Sequence, residues 1–232
     1  MDQTAGYGQF CPVAMAAEIV CSRWTPLILR ELLSGSVRFN DLRRGVPRMS
    51  PTLLSKRLKE LEQGGVIETR PTGQASIVEY HLTQAGQDLR PLVMSLGIWG
   101  QRWVETQSSL KNLDPSLLMW DMRRNLDLTP IPARRSIIQF HYPELPAARR
   151  YFWLVIEGHI VDLCYVDPGY EVDLFVECAL RTMTAIWMGL TSVRAELDAG
   201  RLELAGDQPL ARSMQQWLGL SPFAKEKSRR AA

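Results

Sequence analysis

Between Arg23 and Leu82 the order of helix caps, apolar stripes and chain-reversing residues admits very few arrangements of elements. The stretch reads RWTPLILRELLSGSVRFNDLRRGVPRMSPTLLSKRLKELEQGGVIETRPTGQASIVEYHL. Pro12–Val20 just ahead of it and Thr25–Leu33 within it are helical by pattern. Trp24, Leu27, Ile28 and Leu32 give the second helix its apolar stripe, and Gly35 is its stop. Asn40 is expected to cap a short helix, Asp41–Arg44, with Leu42 facing inward and Pro47 ending it. Ser50 suits an N-cap, and Pro51 suits the first helical position, where its missing N–H costs nothing. Leu54, Leu58 and Leu61 then fall at i, i+4 and i+7, one face of a helix. Gly64-Gly65 stops that helix, and Val66–Arg70 and Ser76–Leu82 are expected to form a hairpin around residues 71–75.

Helix, short helix, capped helix and hairpin in this order predict a winged helix-turn-helix. Between Arg23 and Lys59 nine Lys/Arg stand against Glu31 and Asp41, a local +7 (nine minus two) in a chain whose total is +2. Concentrated positive charge on a small helical unit suits phosphate-backbone binding. The outer face of the helix after Ser50 presents Thr52, Lys56, Lys59 and Gln63, flanked by Ser55 and Arg57. The short polar residues could reach base edges, and the long cations could hold phosphates. The expected DNA contacts are Asn40, Arg43, Arg48, Ser50, Thr52, Ser55, Lys56, Arg57 and Lys59, with Arg70 and Gln74 from the hairpin. Two plainer readings stay open: basic residues that form a solvated face, and a winged helix used only for protein contacts.

The residues that carry a family resemblance are spread along this region. Cys11-Pro12-Val13, Arg23-Trp24, Arg38-Phe39-Asn40-Asp41-Leu42-Arg43, Ser50-Pro51-Thr52-Leu53-Leu54-Ser55, Arg57-Leu58, Leu61-Glu62 and Gly64-Gly65-Val66-Ile67 resemble the HxlR-type transcriptional regulators. The resemblance covers nearly all of the first 105 residues. It implies a homodimer on a two-fold symmetric operator, with residues 51–63 as the recognition helix.

After a cap at Thr83, Gln84 to about Gln107 reads as one helix with an apolar stripe of Leu89, Leu92, Val93, Leu96, Trp99 and Trp103. Gly97 and Gly100 would permit close backbone approach. Two indoles outside the small reader suggest a surface buried by a partner, so Leu92, Leu96, Trp99 and Trp103 are the expected dimer contacts. Packing against the chain's own C-terminal half is the alternative. Cys11, just before the first helix, stands where many HxlR-type regulators carry a cysteine, and some of those sense oxidants or electrophiles. A helix N-terminus favours thiolate, which makes Cys11 the redox candidate. Apolar packing is its plainer role, and Cys21 lies too far along the helix to argue a bridge.

Beyond the reader the charge reverses. Residues 136–222 hold six Arg and eleven Asp/Glu, a net −5 (six minus eleven), a poor partner for DNA. At 232 residues and 46% apolar content the chain has room for two domains. Nothing at the start reads as a signal peptide, and the longest apolar run, Tyr151–Ile156, is far short of the ~20 residues of a membrane helix. The four cysteines lack CxxC spacing and the three histidines are scattered, so no metal and no cofactor are expected. A reducing cytoplasm is the expected location.

Pro115–Arg124 reads as a short amphipathic helix, followed by a connection punctuated by Pro130 and Pro132. From there the period changes to two. Ile138/Phe140/Tyr142, Phe152/Leu154/Ile156, Val161/Leu163/Tyr165 and Val172/Leu174/Val176 read as four antiparallel strands with one buried face. Helices are expected at Cys178–Met183, Ser192–Ala199 and Asp207–Leu218, with a short strand at Leu202–Ala205. The expected class is α+β: a winged helix-turn-helix with dimer helices, then an antiparallel sheet with helices on one face. The expected division is 1–108 reader and dimer helices, 109–135 linker, 136–222 sheet domain and 223–232 basic tail.

Trp187-Met188-Gly189, Ala195, Gly200–Asp207 and Trp217-Leu218 resemble the sterol-carrier-protein-like, lipid-transfer domain. That resemblance implies an apolar tunnel for a lipid or other apolar small molecule. Phe152, Trp153, Leu163, Phe175, Ile186, Trp187 and Met188 would line it, unless these residues simply fill a solid core. No catalytic residue is expected. His141 and His159 could pair with Asp162 or Glu157, but no nucleophile elbow, metal set or phosphate loop accompanies them. The expectation is a regulator, a repressor by default, whose partners are a double-stranded operator, a second copy and an apolar effector, without membrane insertion. The alternative is a regulator sensing oxidants through Cys11 above a purely structural C-terminal domain.

Overall fold

A computed structural model describes residues 6–73, 78–104, 110, 113–226 and 229. The chain divides into two compact units, Met1–Gly97 and Ile98–Ala232, the division falling inside a helix. Among the described residues no helix is long and apolar enough to cross a membrane.

The first unit begins with α1 (Pro12–Val20) and α2 (Thr25–Leu33). Trp24, in a left-handed conformation with φ 78°, turns the chain between them. α3 spans Phe39–Gly45. Its N-cap is Arg38 rather than Asn40, because the Arg38 carbonyl already accepts from the N–H groups of Asp41 and Leu42, which places Asn40 inside the first turn. The helix closes at Gly45, ahead of Pro47.

α4 (Pro51–Gln63) follows its local signals closely. The Ser50 hydroxyl accepts the Leu53 N–H at 3.2 Å, and Leu54, Leu58 and Leu61 are each 2% exposed or less. Gly65 takes φ 69°, a region L side chains rarely adopt, so the chain leaves α4 sharply. β1 (Ile67–Pro71) and β2 (Val78–Leu82) pair antiparallel from Ile67↔Leu82 to Pro71↔Val78. The segment before α3 joins this wing through a bridge between Arg38 and Glu79 and through the Tyr80 N–H to the Val37 carbonyl at 2.8 Å.

The long helix expected from Gln84 is two helices, α5 (Gln84–Gln87) and α6 (Arg90–Trp103). Pro91 explains the break: without an N–H it cannot bond back to residue 87, but it fits the first turn of a new helix. The expected end at Gln107 lies outside the described residues.

In the second unit α7 (Pro115–Arg123) is capped by the Asp114 carboxylate, which accepts from Ser116 and Leu117. A five-stranded sheet follows, in the order β5-β4-β3-β6-β7. Its strands are β3 (Ser136–His141), β4 (Tyr151–Glu157), β5 (Ile160–Cys164), β6 (Leu174–Cys178) and β7 (Leu202–Gly206). The sheet is mixed, not antiparallel throughout, because β6 crosses over to lie parallel to β3. Asp173 secures that pairing: its carboxylate accepts the Ile137 N–H at 2.8 Å, and its own N–H donates to the Ile137 carbonyl at 2.9 Å.

α8 (Leu180–Trp187) and α9 (Val193–Asp198) precede β7. The helix expected over 207–218 is broken at Ser213 into α10 (Gln208–Arg212) and α11 (Met214–Trp217). Phe140, Phe152, Leu154 and Val176 share one buried core with Met119 of α7, Met183 and Ile186 of α8, and Met214 and Trp217 of α11. The helices therefore cover one face of the sheet.

Candidate nucleic-acid interface

The buried leucines of α4 force its other side outward. Thr52, Ser55, Lys56 and Lys59 are all exposed, with Thr52, Lys56 and Lys59 at i, i+4 and i+7 on one face. Asn40 and Arg43 are exposed on α3, as is Arg48 in the turn between the two helices. The Ser50 hydroxyl serves as the helix cap.

Two expected cations are less available than their sequence positions suggest. Arg57 is half-buried and its guanidinium pairs with Glu60, while its Nε has no hydrogen-bond partner. Arg70, on the wing strand β1, donates to the Glu68 carboxylate through Nε at 2.8 Å and through Nη2. Glu60 also lies 3.9 Å from the Lys56 ammonium. Lys59 forms no ion pair among the described residues. The charge balance over Arg23–Lys59 stops one residue short of Glu60, although Glu60 stands at i+3 and i+4 from Arg57 and Lys56, the spacing at which helix side chains meet. Gln74 lies outside the described residues.

Behind the wing, Glu62 accepts from the Thr69 hydroxyl. Burial, followed by the charge of Glu62, pushes the Tyr80 phenol above its ordinary pKa. The Thr69 hydrogen bond joins the end of α4 to wing strand β1.

On α6 the four expected dimer residues are exposed: Leu92 45%, Leu96 50%, Trp99 60% and Trp103 45%. Val13 and Met15 of α1 are more than half exposed as well. Val93, on the inner side of α6, is buried.

Cys11 is half-buried at the N-cap of α1 without closing a capping hydrogen bond. The N–H groups of Ala14 and Val13 in the first turn still hold its thiol below the ordinary pKa. Cys178, buried in the second unit, has its thiol pushed up to about 12, chiefly by burial.

The seven residues expected to line a tunnel do not form one set. Phe152, Ile186 and Trp187 belong to the buried core, with Leu163 and Met188 packed against it. Trp153 and Phe175 point to the opposite face, since each sits between inward neighbours on its strand and both register with Gln139. Phe175 is 44% exposed.

A family model described as HxlR-like helix-turn-helix matches residues 19–108. The chain is 35% identical over 99 residues to YvaP of Bacillus subtilis (strain 168), named as an uncharacterized HTH-type transcriptional regulator; the match spans 42% of this chain and 92% of YvaP. YdeP of the same organism, named in the same way, is 32% identical over 102 residues, covering 44% of this chain and 80% of YdeP. The solved reduced form of the transcriptional regulator YodB from B. subtilis is 30% identical, covering 40% of this chain and 93% of YodB, with a TM-score of 0.35.

Proposed function

Because the chain belongs, through its N-terminal region, to the HxlR-like helix-turn-helix regulators, we propose that it represses transcription as a dimer, with α4 in the major groove. The exposed Thr/Ser/Lys face of α4 carries this reading: a capped helix offers short polar groups at its start and, at Lys59, an ammonium outside any ion pair among the described residues. Arg43 and Arg48 would hold flanking phosphates, and Arg70 would reach the backbone from the wing. The exposed stripe of α6 would be the dimer contact, since four large apolar side chains on one surface helix favour burial by a partner.

The second unit, whose residues 136–222 carry a net −5 (six minus eleven) around a large apolar core, would be the regulatory half. In this reading an apolar small molecule enters among Phe152, Leu163, Ile186, Trp187 and Met188 and shifts DNA affinity, a coupling that must be reciprocal. Trp153 and Phe175 drop out of that lining.

Selection from a random duplex pool, followed by footprinting, tests the whole reading. Two symmetric half-sites with centres about 10–10.5 base pairs apart, or a multiple of that, are expected. Absence of any enriched sequence defeats DNA recognition, and a single unsymmetric footprint defeats the dimer. Adding a long-chain fatty acid or a sterol should change affinity roughly 5–150-fold if the second unit is regulatory. Affinity that ignores both compounds removes that half of the proposal.

The lowered thiol of Cys11 supports a second reading, a regulator switched by oxidants or electrophiles. Here diamide should weaken DNA binding of the wild type and leave Cys11→Ser untouched. An equal response in both proteins removes Cys11 from the account.

A further inference from the structure

Three cations assigned to DNA already have carboxylates in attendance. Glu60 takes the guanidinium of Arg57 and lies 3.9 Å from Lys56, so one acid serves two bases on the recognition helix. On the wing, Glu68 takes two N–H groups of Arg70. Both carboxylates are open to solvent, with side chains 40% and 48% exposed, which leaves them near any phosphate these cations would meet.

We infer that Glu60 and Glu68 govern the overall affinity of this protein for DNA by competing with phosphate for Lys56, Arg57 and Arg70; the inference rests on the proposed docking of α4 and the wing. To hold a phosphate, each cation must leave its carboxylate, and the carboxylate then remains beside the DNA backbone as an uncompensated like charge. Phosphates are the same on every sequence, so the penalty is the same on every sequence. Base contacts from Thr52 and Ser55 are not touched by it. The consequence is weak attachment to arbitrary DNA and occupancy that depends on the correct base contacts, which a reader with all its cations free would lack.

The charge-neutral substitutions Glu60→Gln and Glu68→Gln test this by fluorescence anisotropy on a random-sequence duplex and on a selected duplex, between 50 and 200 mM salt. Each variant should bind both duplexes more tightly at 50 mM, by the same factor of at least about threefold. The slope of log affinity against log salt should steepen by about 0.9 per freed cation, so that by 200 mM the advantage shrinks about 3.5-fold for Glu68→Gln, which frees Arg70, and about 12-fold for Glu60→Gln, which frees Lys56 and Arg57. The double variant, which frees all three cations, should steepen it by about 2.7. Thermal melting of the variants, which keep the uncharged side chain in place and remove carboxylates open to solvent, should stay close to wild type and shows that folding is not the cause.

Unchanged or weaker binding overturns the inference while leaving the DNA reading intact. So does a gain confined to one duplex with an unaltered salt slope, which would make Glu60 or Glu68 a base contact. If the wild type and both variants bind neither duplex, the docking of α4 falls, and this inference with it.

Discussion

Replacing Glu31 with alanine is expected to destabilise the N-terminal unit by about 3 kcal/mol. Glu31 has no exposed surface although it carries a carboxylate. Arg30 neutralises it, donating from Nε at 3.0 Å and from Nη2 at 2.7 Å, and the same Nη2 reaches the Gly45 carbonyl at 2.9 Å. This group ties α2 to the end of α3, immediately before the turn into α4. Gly45 must be glycine here, because a Cβ would stand 1.9 Å from the Glu31 carboxyl carbon. Removing one member of a buried pair costs about 3–5 kcal/mol, since the other charge is left without compensation. The lower end applies because the Arg30 side chain is 29% exposed and can turn to water. For a unit of this size that is roughly 12–24 °C of melting temperature. A Glu31→Ala variant that melts within two degrees of wild type would mean that this pair does not hold α2 to α3.

How much was legible depended on distance along the chain. The Ser50 cap, the Leu54/Leu58/Leu61 stripe and the stop at Gly64-Gly65 are each settled within a few residues, and all three stand where they were read. Pro91 was equally local, yet the apolar stripe running past it outweighed its meaning. Asn40 has the right chemistry for a cap, but the Arg38 carbonyl had already closed the first turn. In the second unit the alternation correctly marked Phe152, Leu154, Leu174 and Val176 as inward. The same alternation puts Trp153 and Phe175 on the opposite face of the sheet, Trp153 buried there and Phe175 44% exposed, so placing them in one lining with Phe152, Leu163, Ile186, Trp187 and Met188 ran against a signal already present. The placement of β6 beside β3 has no local mark, because Leu174 and Val176 would face inward on either edge of the sheet. It is held by pairing about 36 residues apart, the Asp173–Ile137 hydrogen bonds and the parallel ladder from Ile138↔Leu174 to His141↔Glu177. In the reader, helix spacing already marks Glu60 as a partner of Lys56 and Arg57, whereas the pairing of Glu68 with Arg70 shows only with side chains in place.

Thr52→Ala and Lys59→Ala should separate reading from holding. Thr52 lies in the first turn of α4 on the outer face, where a side chain can reach a base edge. Its loss should cost about 1–3 kcal/mol on the preferred sequence, roughly 5–150-fold, and little on arbitrary DNA. Leu58→Ala on the buried side would confuse the issue, since a core leucine costs about 2–5 kcal/mol of folding. Lys59 is the cleanest phosphate probe, being exposed and outside any ion pair among the described residues. Removing it should weaken binding on all sequences alike. Salt-titrated anisotropy of wild type, Thr52→Ala and Lys59→Ala on a selected and a random duplex measures both effects at once. The account predicts that Lys59→Ala lowers affinity on both duplexes and flattens the salt slope by about 0.9, while Thr52→Ala keeps the slope and loses the preference. If both variants match wild type on both duplexes, α4 does not carry DNA recognition and the central claim is wrong.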